Sequence, residues 1–269
     1  IGQNSNSTVN NSYTGIKTSG AITTKAGTVT GTTTTGYVGG LIGQNSSGAI
    51  SGSTASGDVV SSGDYTGGLI GQNSSSTISN SNSTGNVTAT GKNYVGGLVG
   101  YNSSSTITGA TASGIVNGAS YVGGLVGQNL TSSAISTSSA SGDVTGTSGR
   151  VGGLVGDNSS TITSSFATGN VLGKNSSDVY QNYVGGLVGF NSNSNISASY
   201  HTTGTVQGLD YVGGLVGQNQ GTSSPTYAID SSYSSGSVSG RNNVGGLVGY
   251  SYQNSAITNS YVANGSSVS

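Results

Sequence analysis

At 269 residues, with 50 Gly, 5% charged residues and no Cys, Met or Trp, the chain has the composition of no ordinary globular enzyme. Lys and Arg number 6 against 7 acidic residues, a net charge of −1, so there is no field to hold a phosphate backbone or an anionic bilayer, and nucleic acid is excluded as a partner. No run nears the ~18 apolar residues of a membrane span, so membrane insertion is not expected, and the lack of Cys rules out a disulfide framework.

Ser, Thr, Asn and Gly fill most positions, yet Val, Ile and Tyr return at regular intervals, which argues for order over disorder. The chain opens on Ile1-Gly-Gln-Asn4, the tail of a motif first seen whole as Tyr37-Val-Gly-Gly-Leu-Ile-Gly-Gln-Asn45. The motif returns at Tyr65, Tyr94, Tyr121, Arg150, Tyr183, Tyr211 and Asn243, in steps of 28, 29, 27, 29, 33, 28 and 32 residues counted from the residue before Gly-Gly. After each motif comes a run centred on Ile, as at Thr77-Ile-Ser79 and Thr161-Ile-Thr163, and then a Gly-x-Val run, as at Gly85-Asn-Val87. Ser, Asn and Gly clusters between the runs supply turns. Three short strands in a period of 27 to 33 residues predict an all-β fold, a parallel β-helix or β-solenoid in which each strand pairs with its equivalent one coil away. Residues 1–269 read as a single array. The array stops after Gly265-x-x-Val268, a run that elsewhere leads into the next motif, so the chain is expected to be a segment of a longer polypeptide or polymer.

Stacking turns each conserved position of the repeat into a column. The Asn that ends the first strand recurs as Asn4, Asn45, Asn73, Asn102, Asn129, Asn158, Asn191 and Asn219, and one amide above another is expected to form a hydrogen-bonded ladder. The Tyr before Val-Gly-Gly, and the later Phe166, Tyr200, Tyr233 and Tyr261, are expected to stack about 4.8 Å apart. The Val-Gly-Gly-Leu-Val-Gly run leaves two readings. As one extended strand it puts Val and Leu on opposite faces, so that either Leu41, Leu69, Leu98, Leu125, Leu154, Leu187, Leu215 and Leu247 form an external stripe for lateral self-association or, with Leu inward, a broader Val/Ile stripe is left outside; with a kink at Gly-Gly, all the large side chains turn inward.

Chemistry is sparse. Glu is absent and His201 is the only His, so no His-Glu-x-x-His metal motif exists. Asp58 and Asp143 share a repeat position but lie three coils apart, about 14 Å, too far for paired-carboxylate catalysis. Lone Asp residues do not gather the oxygens calcium takes, and no metal or cofactor is expected. Ice binding needs a regular flat array, and the residues before the recurring Ile (Ala49, Thr77, Thr106, Ala134, Thr161, Asn195, Ala228, Ala256) are too irregular for it. Most charges, among them Asp64, Lys92, Arg150, Lys174, Asp210 and Arg241, sit in the turn before Val-Gly-Gly with mixed signs, the mark of one soluble edge. The period breaks at 17–35, 173–182 and 220–227, where extra residues leave as loops; Tyr180, Gln181 and Tyr227 are the candidate ligand contacts there.

The recurring Gly40-Leu-Ile-Gly43, Gly97-Leu-Val-Gly100 and Gly246-Leu-Val-Gly249 resemble the GLUG motif of bacterial surface adhesins, found also outside the catalytic domain of some secreted immunoglobulin A peptidases. The resemblance implies extracellular or cell-surface placement in a bacterium and a role in attachment or as a spacer. With the apolar stripe and the sparse chemistry, the chain is expected to be a structural or adhesive stalk or filament segment that self-associates and carries no catalysis. Binding of a surface glycan by stacked Tyr and the inserted loops is the alternative.

Overall fold

The computed structural model describes the chain outside residues 15, 19–20, 25–28, 32–35, 175–181, 222–226 and 264–265, and within 13–35 and at Tyr227 it describes the backbone alone. The described strands build a parallel β-solenoid, with no helix among the described residues. Five parallel sheets run its length, three of nine strands and two of eight. We number the coils 1 to 8 from the motifs at Tyr37 to Asn243. In coil 1 the strands are Tyr37–Gly39, Ile42–Ser46, Ala49–Ser51, Thr54–Ala55 and Val59–Ser61. Coils 1 to 7 thus have five short strands each rather than the expected three, because Gly-Gly-Leu splits the motif in two and the Thr54–Ala55 segment pairs on its own; coil 8 has four described strands and an isolated bridge at Val268. Register is one repeat per coil throughout: Asn45 pairs with Asn73, Ile50 with Ile78 and Val59 with Val87. An antiparallel pair, Ile16–Thr18 with Ala21–Thr24, occupies the first break in the period.

The split motif is an arch. Its two strands, Tyr37–Gly39 and Ile42–Ser46 in coil 1, lie back to back, and only glycine stands between them. A methyl on Gly39 would overlap the Ile42 carbonyl, and one on Gly100 would lie 2.7 Å from the Tyr94 carbonyl across the arch. At the tip the backbone still pairs from coil to coil, Leu41 N to Leu69 O at 3.0 Å and Leu69 N to Leu98 O at 2.9 Å.

Because the arch turns its two outer faces apart, the coil has two cores. Leu, the following Ile or Val, the recurring Ile and the Ala column fill one, with Leu98, Val99, Ile107 and Ala112 from coil 3. The Val before Gly-Gly and the Val of the last strand fill the other, as Val95 and Val116. The second reading of the motif is therefore the correct one. Leu69, Leu98, Leu125, Leu154, Leu187 and Leu215 are fully buried, Leu41 nearly so, and Leu247 packs partly buried against the same core. The first seven are thus withdrawn from any lateral partner, since alternation of faces holds only along an unbroken strand and the two glycines break it.

Corners follow local chemistry. The residue after the recurring-Ile strand has positive φ in coil after coil, as Asn11 at 46°, Gly52 at 55°, Asn80 at 47° and Gly109 at 62°, the conformation Gly and Asn accept most readily.

Candidate functional site

The interior is organised by polar ladders. Asn4 donates through Nδ2 to Asn45 Oδ1 at 2.8 Å, and the chain of amides continues through Asn73, Asn102, Asn129, Asn158 and Asn191 to Asn219 at 2.8 or 2.9 Å per step. The remaining amide hydrogen closes the local turn, as Asn45 to Gly48 O at 2.9 Å and Asn191 to Ser194 O at 2.9 Å. All eight are buried, so the ladder satisfies groups that would otherwise cost about 1–3 kcal/mol each. In coil 8 Ser251 stands in register with Asn219, whose Nδ2 has no partner.

A second ladder escaped the sequence reading. The backbone N of Ser53 donates to Ser81 Oγ at 3.1 Å, Ser138 N to Ser165 Oγ at 3.2 Å and Ser199 N to Ser232 Oγ at 3.1 Å, while each hydroxyl donates to a carbonyl two residues back. Its signal was present as Ile-x-x-Ser, at Ile50/Ser53, Ile78/Ser81, Ile135/Ser138 and onward. In so Ser-rich a chain one more regular Ser does not stand out.

Outside, two aromatic columns run along the solenoid. At the mouth of the arches Tyr65 and Tyr94 stack with centroids 4.9 Å apart and Tyr94 and Tyr121 at 4.7 Å; Tyr101 meets both Tyr65 and Tyr94 edge-on. Burial first, and then the neighbouring phenols, push Tyr65 and Tyr94 above the usual phenol value, so their hydroxyls remain neutral. On the sheet to which coil 1 contributes Thr54–Ala55, the Ala sheet, Phe166, Tyr200, Tyr233 and Tyr261 stack at 5.0, 4.9 and 5.2 Å, their planes within 12° of parallel. Each inner ring of this second column has both faces against neighbouring rings and turns an edge to solvent.

The arch-mouth column is interrupted once. In coil 5 Arg150 replaces Tyr, and its guanidinium lies 5.2 Å from the Tyr121 ring centre and 4.2 Å from that of Phe190. Beneath it the buried Asp157 pairs with Arg150 and accepts from Gln128 Nε2 at 2.9 Å. Burial raises the Asp157 carboxyl above its ordinary value, only partly offset by Arg150 and Gln128. A cation between two rings and over a carboxylate fills the gap in the stack.

The described carboxylates are engaged in holding neighbouring coils together. Asp58 Oδ1 accepts from Asn86 N at 2.8 Å and Asp143 Oδ1 from Asn170 N at 2.8 Å, so each carboxylate bonds the next coil's backbone. Among the described residues no three of His, Cys, Asp or Glu gather to hold a metal. The edge charges pair with neighbours: Asp64 accepts from Asn93 N at 3.0 Å, and Arg241 lies 3.5 Å from Asp210 beside an open hollow that includes Tyr211 and Asn243. Of the candidate ligand contacts, Tyr180 and Gln181 lie outside the described residues, and Tyr227 opens the strand Tyr227–Asp230 without a described side chain.

No curated protein and no solved structure matches the chain. The model of the GLUG motif matches residues 34–60, 62–88, 91–117, 118–145 and 240–269. Each match spans an arch and the strands that follow it, slightly more than half the chain in all, and on that ground the chain belongs to the GLUG-motif family.

Proposed function

We propose that this chain is a non-catalytic structural segment of an extracellular surface protein, a stalk or filament element that presents adhesive surfaces. One observation carries the reading: the Asn ladder runs unbroken from Asn4 to Asn219 along the stack, so the regular residues serve to hold coil on coil. Such an array is stiff along its axis and stable only as a stack, which suits a spacer. Any specific contact then falls to the exterior, to inserted loops and aromatic edges.

Surface labelling of intact cells with an antibody to the array, together with attachment assays on cells that lack the segment, tests this. Labelling of unbroken cells and lost attachment support it; an array found only inside cells overturns it. The glycan-binding alternative is disfavoured by the stacks, because sugar rings pack on aromatic faces and the inner faces of the Phe166 column are taken. A glycan array that shows saturable binding, lost in Tyr233→Ala, would reinstate it.

A further inference from the structure

The inward positions of the Ala sheet read Ala55, Ser83, Ala112, Ala140, Ala167, His201, Ser234 and Val262 from coil 1 to coil 8. They face the second Gly of each arch, and there the interior is only one small side chain thick. A Cβ on Gly97 would lie 3.1 Å from that of Ala112, and one on Gly153 3.0 Å from that of Ala167. In coil 6 the same slot holds an imidazole against Gly186. His201 is fully buried. Its Nε2 lies 3.1 Å from the Gly169 carbonyl, and Nδ1 has no hydrogen-bond partner.

Around the ring lie Ala167 and Ser234 in the sheet, Gly186 in the arch, Gly204 and Gly236 at the turn, and the backbones of Gly169 and Gly214. None of them is charged or titratable, so no anion is at hand to stabilise an imidazolium. Burial lowers the His201 pKa from its ordinary value, against the upward pull of the Gly169 and Gly214 backbone.

We infer that His201 is a proton-sensitive joint: neutral, it fills the slot of coil 6; protonated, it brings a buried charge that the slot meets with backbone carbonyls alone and no anion, and coil 6 opens while coils 1 to 4 stay folded. The sign follows from linkage. The folded value lies below the unfolded one, so the unfolded coil binds more protons, and the His201 contribution to stability is whole above about pH 6.5 and falls as the pH drops toward the folded value. In a stack where each coil contacts only its neighbours, an opening in the middle divides a stiff rod into two shorter ones joined by a flexible link. The joint stands apart from the surface reading, and its test does not involve attachment.

His201 is the only histidine, so its ring protons are assigned directly in an NMR titration of the full chain. We expect the folded imidazole to titrate below about pH 6.5. We also expect amide exchange in coil 6, corrected for intrinsic rate, to quicken at least ~10-fold between about pH 7.5 and about pH 5, with less than ~2-fold change in coils 2 to 4. His201→Ala, which copies Ala167, and His201→Ser, which copies Ser234, should each abolish the quickening; the pair guards against one variant failing to fold. An imidazole that titrates at or above its ordinary value in the folded chain, or coil 6 exchange that quickens equally in the variants, overturns the inference.

Discussion

Coils 1 to 4 and coil 8 match the GLUG-motif model, whereas residues 146–239, which hold coils 5 to 7, do not. Both regions nevertheless share one register, one Asn ladder and two continuous cores. What differs lies mostly outside: Arg150 and Asp157 interrupt the arch-mouth column, Phe190 takes a position held by Gln in coils 1 and 2, and Phe166 begins a ring stack where Ser139 and Thr111 precede it. The fold depends on the arch glycines, the core Val, Leu and Ile, and the ladder Asn, and it tolerates change elsewhere. The exception is His201, which alters the interior itself.

That equivalence can be broken at the arch. Gly96→Ala in coil 3 and Gly185→Ala in coil 6 place a methyl on the carbonyls of Val99 and Val188, and each should cost ~3 kcal/mol or more. Denaturant midpoints should fall by similar amounts in the two variants; a tolerated Gly185→Ala would mean that coils 5 to 7 hold their arch differently. Ladder truncation comes next. Asn129→Ala removes the donor to Asn158 Oδ1 and the acceptor of Asn102 Nδ2, and should cost about 2–4 kcal/mol, matched within ~1 kcal/mol by Asn191→Ala, as thermal unfolding would show.

Smaller effects sharpen the outer differences. Tyr200→Ala breaks the second ring stack on both sides and should cost about 1–3 kcal/mol, while Ser139→Ala, at the equivalent place in coil 4, should cost less than ~0.5 kcal/mol. Asp157→Asn should change stability least near neutral pH, within ~1 kcal/mol, because the burial that penalises the carboxylate offsets its pairing with Arg150. Its pH dependence has a definite sign. The folded carboxyl titrates above its ordinary value, so the wild type gains on Asp157→Asn as the pH falls through the folded value, and the gain is complete below about pH 3.8. Paired melts of the two proteins across that range check it.

The sequence by itself determined whatever depends on one coil lying over another. The period, the parallel register, the Asn ladder and the aromatic columns were legible because in a stack the axial neighbour of each residue is its own copy. The five-strand coil, the two cores and the inward Leu were decided by tertiary structure. They depend on what lies across the coil, and the pattern of apolar residues cannot show whether Gly39-Gly40 continues a strand or folds it into an arch. The same limit hid His201. As a residue type it was the only histidine of the chain, but only packing reveals that it occupies a slot sized for Ala against the back of a glycine arch, with no charge to meet its own.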